Sequence, residues 1–547
     1  PLKSIVLKAP INYSYSRMRN VFILGAGFMQ KPAILTAKEL GCRVIAADGN
    51  KDAYCVSLCD EFAHIDLKNI DALCEFALNL KKNSRIDAVF TAGTDFSAAC
   101  AKIAETCGLH SHSYKSALNA SDKILMRSCF AKAGVSSPKF IEIEDSSSAY
   151  KKENILQLLQ NNGFPHNPFP LVVKPVDNMG ARGCRMVRAG NELTDTVKTA
   201  VSYSRSKRAI IEEYMDGPEF SIDSLVYNDT ITITGFADRH IYYPPYFIEM
   251  GHTMPSAISE DQKTRIFEEF KKGVKALGLT CGAAKGDVKL TKNGPKIGEI
   301  AARLSGGYMS GWTYPYASGI NLTEQALRIA LGDAPSIPLT GTPKESLSTS
   351  AERAWVSIPG IVKSVSGYDD AEKIPHVKDI FPRIKEGDIV NFPVNNVEKC
   401  GNIISCAENR EEAVQSAESA VKKIIIRLDP KGESTKTFLE EDPFTEFPPS
   451  AYQVSKNNLE LLLSSSKGKT IRLQDLIMKA DEMLSDFLQS DKLCDWNHKS
   501  ASYALKQFCV IAETEKNNSK IIHLEQFWRY FIRGGLQGLL YLLDGEA

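Results

Sequence analysis

The feature that most constrains the fold is an apolar strand near the start of the chain that runs directly into a glycine turn and an amphipathic helix. The strand covers Val21–Leu24, and the turn contains Gly25 and Gly27. Further short apolar strands alternate with helical patterns over the next hundred or so residues. Strands and helices that alternate in this way form parallel sheets. We therefore predict a parallel α/β domain that ends near residue 118.

The glycine turn has two interpretations. Gly25-x-Gly27 followed by Asp48 is compatible with a dinucleotide-binding fingerprint, in which the acidic residue holds the ribose. The third glycine position is occupied by Gln30, however. This departure favours an ordinary tight turn over a nicotinamide site.

Composition excludes several classes of protein. The 547 residues are 43% hydrophobic and 24% charged, which is typical of soluble globular chains, and this length predicts several domains. Lys plus Arg and Asp plus Glu each total 66, so no overall basic field attracts nucleic acid or an anionic membrane. The 13 cysteines include no CxxC pair, and the first apolar run is too short for a signal sequence or a membrane span. We expect a cytoplasmic protein with small-molecule partners.

A strand, a glycine-rich polar loop and a second strand follow in the middle third of the chain. The first strand, Leu171–Pro175, contains Lys174, and the loop contains Gly180, Arg182 and Gly183. Glycine has no Cβ, so the backbone N–H groups of such a loop can approach a polyphosphate closely. The pattern predicts a phosphate-binding hairpin, with an ordinary turn as the alternative.

Carboxylates recur on the strands that follow. Glu212 ends an apolar strand and Glu219 begins the next one. Asp287 and Glu299 lie on opposite arms of a predicted hairpin, whose turn can bring them side by side. Adjacent carboxylates repel each other unless a cation lies between them, and Mg²⁺ that carries nucleotide phosphates suits such a site. A metal-free pair of surface carboxylates is the alternative.

The order and spacing of these segments resemble the ATP-grasp superfamily, including its amino-acid ligase, carbamoyl-phosphate synthase and biotin carboxylase members. The matching residues are Lys123, Lys174, the 180–183 loop, Glu212, Glu219, Asp287 and the segment Glu299-x-Ala301-x-Arg303. The resemblance covers residues 20–335 directly.

The resemblance implies a combination of α/β and α+β classes. An ATP-grasp fold is preceded by a Rossmann-like parallel α/β domain and followed by a β-rich domain and a helical module. The expected ranges are 1–118 for the N-terminal domain, 119–335 for the ATP-grasp domain, 336–430 for the β-rich part of the ligase core, 431–450 for a linker and 451–547 for the helical module.

The resemblance also implies nucleotide contacts. Lys123 and Lys174 contact the ATP phosphates or the adenine edge, and the 177–183 loop closes over the phosphates. Glu212 accepts a hydrogen bond from the adenine amino group, and Glu219 accepts from the ribose hydroxyls.

The same resemblance implies the site of phosphoryl transfer. Asp287 and Glu299 match the Mg²⁺ ligands, with Mn²⁺ as an alternative metal. Arg303 matches the residue that stabilises charge on the transferred phosphoryl group or the acyl intermediate. Backbone donors at Gly306 and Gly307 add to the substrate site.

One position departs from the family pattern. Many ATP-grasp enzymes have Asn where this chain has Ala301, and that Asn adds an oxygen ligand to a second metal. Alanine offers no ligand, so tight binding of a second metal and efficient turnover both become open questions.

The segment from Glu249 to Pro255 is similar to the Glu-x-Gly-His-x-x-Pro segment of ATP-grasp enzymes that ligate amino acids. The resemblance implies that Glu249 orients an ammonium group and that His252 binds a carboxylate or a phosphate. His252 is also the candidate general base, because an incoming ammonium must lose a proton near neutral pH. A loop in which both side chains only satisfy backbone groups is the alternative.

The leading hypothesis is an ATP- and Mg²⁺-dependent carboxylate–amine ligase that forms an acyl phosphate and uses an amino acid substrate. One alternative is carboxyphosphate chemistry of the carbamoyl-phosphate synthase or biotin carboxylase type. Another is a nucleotide-binding regulatory protein without turnover. Homo-oligomerisation is left open.

Overall fold

The first part of the fold is a parallel sheet with helices packed against it. The computed structural model describes residues 17–83, 85–145, 150–341, 346–490, 492–515 and 520–545, so the first sixteen residues of the predicted N-terminal domain lie outside the described residues. The four strands, in the order β3-β2-β1-β4, are β1 (Asn20–Leu24), β2 (Arg43–Asp48), β3 (Glu61–His64) and β4 (Ala88–Phe90). The α-helices are Lys31–Glu39, Ile70–Lys82, Ser97–Cys107 and Tyr114–Ser121. All pairings in this sheet are parallel, as the sequence pattern predicts.

The glycine turn after β1 is a tight turn closed by its own acidic residue. Gly25 has a φ of +104°, a conformation that favours glycine. The Asp48 carboxylate accepts hydrogen bonds from the backbone N–H groups of Ala26 and Asn50, each at 2.8 Å. Asp48 is therefore engaged by the turn itself, which supports the structural interpretation of this motif.

A small antiparallel sheet forms the next layer. Its strands, in the order β5-β8-β6-β7, are β5 (Phe140–Glu144), β6 (Leu171–Pro175), β7 (Arg185–Val187) and β8 (Arg208–Glu213). The helices around it are Lys123–Ala133, Lys152–Asn161 and Gly190–Tyr203. The glycine-rich loop connects β6 to β7, as the sequence predicts.

A large sheet of eight strands runs through both the ATP-grasp and the β-rich ranges. The strands, in the order β13-β12-β9-β10-β11-β14-β18-β16, are β9 (Glu219–Tyr227), β10 (Thr230–Tyr242), β11 (Ile248–Met254), β12 (Gly282–Thr291), β13 (Gly294–Ala301), β14 (Thr349–Trp355), β16 (Val377–Pro382) and β18 (Gly401–Ala407). The accompanying helices are Glu260–Leu277, Tyr314–Ser318, Leu322–Ala330, Tyr368–Glu372 and Arg410–Lys423. The β11–β14 pairing joins the two ranges by main-chain hydrogen bonds.

The remaining strands belong to two small sheets. One has the order β17-β15-β19, with β15 (Gly360–Ser366), β17 (Ile389–Val390) and β19 (Ile425–Leu428). The other pairs β20 (Thr470–Arg472) with β21 (Ile521–His523). The C-terminal helices are Glu433–Glu440, Lys456–Ser466, Leu473–Met483, Ala501–Thr514 and Leu524–Asp544. None of the helices in the described ranges has the length and apolarity needed to cross a membrane.

The helical tail shares one hydrophobic core with the β-rich part. Buried side chains from Ile248 to Leu543 form a single cluster. Gln537 on the last helix accepts from the backbone N–H of Ile358 at 3.3 Å and donates to the Ser357 hydroxyl at 2.8 Å. The tail is thus continuous with the core of the preceding part.

The segment 431–450, which we predicted to be a linker, is largely packed. Residues Glu433–Glu440 form a helix whose Phe438 and Leu439 are buried in the same cluster. The Arg533 guanidinium donates to the carbonyl oxygens of Phe438 and Pro448 at 3.0 and 2.7 Å. The Pro- and Thr-rich composition suggested a free segment, but these apolar side chains find a partner in the last helix.

We expect Leu539→Ala to destabilise the β-rich part and the tail together. Leu539 is fully buried in the shared cluster, and truncation of a buried leucine costs about 2–5 kcal/mol. Trp355, Trp496 and Trp528 belong to that cluster, so tryptophan fluorescence during thermal unfolding reports on it.

The matched control is Leu461→Ala, because Leu461 is on a tail helix and 67% exposed. It should leave the transition nearly unchanged. An independent helical module would instead give a separate, earlier transition in the Leu539 variant, with the Trp355 environment intact.

Candidate active site

A cavity of about 360 Å³ lies between the four-stranded β5-β8-β6-β7 sheet and the eight-stranded sheet. Residues from the N-terminal and β-rich parts complete its wall. Every predicted site residue except Gly183 lines it: Lys123, Lys174, Gly180, Arg182, Glu212, Glu219, Glu249, His252, Asp287, Glu299, Arg303, Gly306 and Gly307. Gly183 has a φ of +70°, and a Cβ there would lie 2.9 Å from the Cβ of Tyr203. It lets the glycine-rich loop pack against the following helix.

The cavity wall carries more cationic than anionic side chains. Nine cationic side chains line it: Lys123, Lys174, Arg182, Arg239, Lys285, Lys289, Arg303, Arg383 and Lys399. Six carboxylates line it: Glu212, Glu213, Glu219, Glu249, Asp287 and Glu299. Such a wall suits a polyanionic ligand such as a nucleotide triphosphate.

Lys174 is held by a buried ion-pair network. Its Nζ lies 2.5 Å from Oε2 of Glu212, and Nε of the fully buried Arg127 donates to Oε1 of Glu212 at 2.8 Å. Burial alone would raise the pKa of Glu212, but Arg127 and Lys174 outweigh it and lower that pKa. Both oxygens of Glu212 therefore contact cations, and its contact with the adenine amino group stays a prediction. Arg127 is a residue that sequence reasoning missed, since only the helix start at Lys123 marked this segment.

Lys123 connects the glycine-rich loop to the carboxylate pair. Its Nζ donates to the backbone oxygen of Asn178 at 2.8 Å and lies 3.8 Å from Oε1 of Glu299. Arg182, at the other side of the loop, lies 3.7 Å from Asp95 of the N-terminal part. The loop is thus anchored at two points beside the cavity.

Asp287 and Glu299 face each other across the β12–β13 ladder. Asp287 also accepts from the Ser221 hydroxyl at 3.0 Å and contacts Lys285. Burial would raise the pKa of both carboxyl groups. Arg239 and Lys285 outweigh it at Asp287, and Lys123 and Lys285 do so at Glu299, so both values are lowered.

The pair fits a magnesium ion that is also bound by nucleotide phosphates. Mg²⁺ is commonly held by one or two carboxylates, with phosphate oxygens and water as its other ligands. Within the described ranges, no three His, Cys, Asp or Glu residues form an all-protein metal site. Ala301 lies opposite Lys285 in the ladder and adds no ligand.

Arg239 forms ion pairs with three of the predicted site residues. Its guanidinium lies 2.5 Å from Glu219, 2.8 Å from Glu249 and 3.2 Å from Asp287. Burial disfavours the cation, but the three carboxylates outweigh that effect and raise the pKa of Arg239. Arg239 could not be assigned this role from the sequence, because its three partners lie on three other strands.

His252 lies between two carboxylates. Its Nδ1 donates to Oε2 of Glu352 at 2.7 Å, and its Nε2 lies 3.6 Å from Oε2 of Glu249. Asn402 donates to the other oxygen of Glu352 at 2.7 Å. Burial would lower the pKa of His252, but Glu249 and Glu352 outweigh it and raise that pKa. Glu352 was missed by sequence reasoning, since it lies a hundred residues away on β14.

The segment after β13 supplies the remaining predicted residues. The Arg303 guanidinium donates to the backbone oxygen of Leu304 at 2.9 Å and has no carboxylate within 4 Å in the described part of the chain. The Ser305 N–H donates to the buried Asp223 at 2.9 Å, and a Cβ on Gly307 would lie 3.0 Å from Oε1 of Glu249. Arg303 therefore remains available to an anionic ligand in the cavity.

Trp312, Tyr314 and Tyr316, which follow Gly311 in the chain, do not line the cavity. Trp312 stacks on Phe28 at 5.7 Å between ring centroids, and the Tyr316 hydroxyl donates to Asp379 at 2.5 Å. These side chains pack between the N-terminal and β-rich parts.

Two family descriptions match this chain. Residues 167–311 match the ATP-grasp domain, and residues 354–429 match the L-amino acid ligase C-terminal domain 2. The first range contains the glycine-rich loop, the carboxylate pair and His252, and the second contains Arg383 and Lys399 of the cavity wall.

Among curated relatives, the uncharacterized protein y4rH of Sinorhizobium fredii is 24% identical over 391 residues, which span 71% of this chain and 78% of that protein. Alanine–anticapsin ligase of Bacillus subtilis is 30% identical over 242 residues, or 40% of this chain and 49% of the ligase. The chain thus spans about half the length of that ligase.

A solved structure shares the fold. The L-amino acid ligase of Bacillus licheniformis has a TM-score of 0.64 and 21% identity, and the match covers 76% of this chain and all of the ligase. The expected fold class is confirmed. The chain therefore contains an ATP-grasp domain followed by an L-amino acid ligase C-terminal domain, in agreement with the resemblance noted in its sequence.

Proposed function

We propose that the protein is a carboxylate–amine ligase that activates a carboxylate as an acyl phosphate and transfers the acyl group to an amine, with an amino acid as a substrate. One observation carries the proposal: Arg239 links Glu219 of the nucleotide end, Asp287 of the metal pair and Glu249 of the amino-acid-ligase segment within a single cavity. ATP-grasp ligases use ATP with Mg²⁺, and Mn²⁺ is a further candidate metal here.

The first step transfers a phosphoryl group. A carboxylate oxygen of the substrate attacks the γ-phosphorus, the bond to the β-phosphate oxygen breaks, and ADP leaves. Lys123 and Lys174 hold the phosphates, and Arg303 lowers the energy of the charge that spreads over the transferred group. Asp287 and Glu299 would hold Mg²⁺, which neutralises phosphate charge.

The second step forms the C–N bond. The amine attacks the carbonyl carbon of the acyl phosphate, the C–O bond to phosphate breaks, and the nitrogen loses a proton. Glu249 attracts the ammonium form of the incoming amine. Water must be excluded during this step, because it would hydrolyse the mixed anhydride.

We assign His252 a cationic role in preference to the general base role. The carboxylates of Glu249 and Glu352 raise its pKa, so the imidazolium persists to higher pH than that of an ordinary histidine. A buried imidazolium next to Gly307, in the cavity that Arg303 also lines, can stabilise an acyl phosphate oxygen. The proton acceptor for the amine then has to be another group or water.

We expect the protein to release ADP only when a suitable carboxylate is present, and to form a hydroxamate when hydroxylamine replaces the amine. Hydroxylamine captures acyl phosphates, so mass spectrometry of the hydroxamate identifies the activated carboxylate. A panel of amino acids, tested singly and in pairs, identifies the substrates. ADP release that requires bicarbonate and no amino acid would point to carboxyphosphate chemistry instead, and bound nucleotide without any release would point to a regulatory protein.

Glu299→Gln should lower the rate of ADP formation by at least roughly 100-fold, because metal stabilisation of transferred phosphate is worth several kcal/mol. The fold should be intact, since Glu299 lines a cavity and contributes nothing to the core. The half-saturating Mg²⁺ concentration should rise in the same variant. A wild-type rate at ordinary Mg²⁺ would refute the metal assignment.

Glu352→Gln should move the alkaline limb of the kcat/KM profile to lower pH. The Glu352 carboxylate stabilises the imidazolium, so a neutral amide lowers the pKa of His252 and the charge is lost earlier as pH rises. His252→Gln serves as the control, since it should remove that limb altogether. If neutral His252 acted as the base, the variant would instead gain activity at acidic pH.

A further inference from the structure

Two neighbouring cations from the β-rich part face the cavity beside Glu249. Arg383 follows β16 and Lys399 precedes β18, and both line the cavity. The backbone N–H of Arg383 donates to the oxygen of Cys400, the residue after Lys399, at 3.0 Å. This bond continues the β16–β18 ladder, so Arg383 and Lys399 lie on adjacent segments of the chain. Neither residue was singled out in the sequence.

Lys399 is a buried lysine with unused hydrogen-bonding capacity. The residue is 3% exposed, and its ammonium donates to the backbone oxygen of Glu249 at 2.7 Å. The nearest carboxylate oxygen in the described ranges, Oε1 of Glu249, is 4.0 Å away, and the same carboxylate is hydrogen-bonded to Arg239. An ammonium has three donors, so further acceptors can bind to it.

Arg383 also lacks an acidic partner in the described part of the chain. Its guanidinium makes only long contacts to neutral acceptors, 3.4 Å to the Tyr308 hydroxyl and 3.3 Å to the backbone oxygen of Asn396. The Tyr308 ring lies under it, with 5.5 Å from the guanidinium carbon to the ring centroid. The ring holds the cation in place without neutralising it.

Two like charges side by side at the wall of a cavity repel each other, and an anion between them removes the repulsion. Burial lowers the pKa of Lys399, and Arg383 adds to this, although Glu249 and Glu352 oppose the shift. A carboxylate has two oxygens that can accept from an ammonium and a guanidinium together. The pair thus matches the chemistry of a carboxylate ligand.

We propose that Lys399 and Arg383 bind a carboxylate group of the amine substrate, a group that is not phosphorylated in the reaction. This inference rests on the proposed function and narrows it to acceptors that carry an anion, such as an amino acid with its free α-carboxylate. Neutral amines of the same shape would bind more weakly.

Asn396 connects this subsite to the rest of the cavity. Its side-chain oxygen accepts from the N–H of Glu249 at 2.8 Å, and its own N–H donates to the oxygen of Gly180 at 2.9 Å. A carboxylate bound to Arg383 would therefore lie next to a residue that contacts both the Glu249 strand and the glycine-rich loop. This arrangement directs the amine of the same molecule toward Glu249.

The test compares an amino acid acceptor with its carboxamide, with the carboxylate donor held constant and the C–N product measured by mass spectrometry. The wild-type protein should favour the free acid. Arg383→Met should lower kcat/KM for the free acid by about 10- to 100-fold, the expected effect of losing a charged hydrogen bond, and leave the carboxamide and the KM for ATP unchanged. Lys399→Met should act in the same direction.

The control is Lys385→Met, which removes an exposed cation two residues from Arg383 and outside the cavity wall. It should behave as wild type with both acceptors. Equal losses for acid and carboxamide in the Arg383 variant, or a change confined to the KM for ATP, would overturn the inference. Arg383 is exposed, so its variant remains informative if the buried Lys399 variant does not fold.

A binding measurement separates this inference from the proposed function. Thermal shifts with ADP and Mg²⁺ are recorded for the amino acids and their carboxamides. Stabilisation by acids alone, lost in Arg383→Met, supports the subsite even if no ADP is released in turnover assays. Equal stabilisation by acids and carboxamides, or by neither, contradicts it.

Discussion

The buried guanidinium of Arg239 is the interaction on which the candidate site depends. It lies on β10, in the middle of the large sheet, and contacts carboxylates on β9, β11 and β12. A buried cation of this kind is stable only when its charge is balanced, and removing one partner of a buried ion pair is strongly destabilising. The three carboxylates are equally dependent on Arg239. The residues predicted to bind nucleotide, metal and amino acid thus share one electrostatic centre.

The large sheet gives this centre its rigidity. The β11–β14 pairing places His252 opposite Glu352, and the β14–β18 pairing places Glu352 next to Ile404 and close to Asn402. Side chains on neighbouring strands are held at fixed spacing by the main-chain ladder. The carboxylate that orients His252 therefore lies on β14, just before the second matched range, while the histidine lies in the first. Residues of both matched ranges line one cavity together, among them His252 of the first and Arg383 and Lys399 of the second.

The helical tail contributes to the site indirectly. It packs into the core beneath the β-rich part, where Asn497 both accepts from and donates to the backbone of Val356 at 2.9 Å. Val356 follows β14 directly, so the tail supports the strand that carries Glu352. A segment outside both matched ranges thus stabilises the strand that carries the partner of His252.

The sequence by itself determined the local elements and, through the resemblance that it carries, the predicted site residues. Glycine turns and apolar runs depend on neighbours within a few residues, and the order and spacing of Lys174, Glu212, Asp287 and Glu299 match a known family, so they can be recognised without a structure. Only the tertiary structure decided the partners. Arg127, Arg239 and Glu352 act through residues that lie far away in the chain, and a single sequence does not record which strands pair or which buried charges meet. The same reason explains the packed 431–450 segment, whose polar composition was visible but whose apolar partner lies in the last helix.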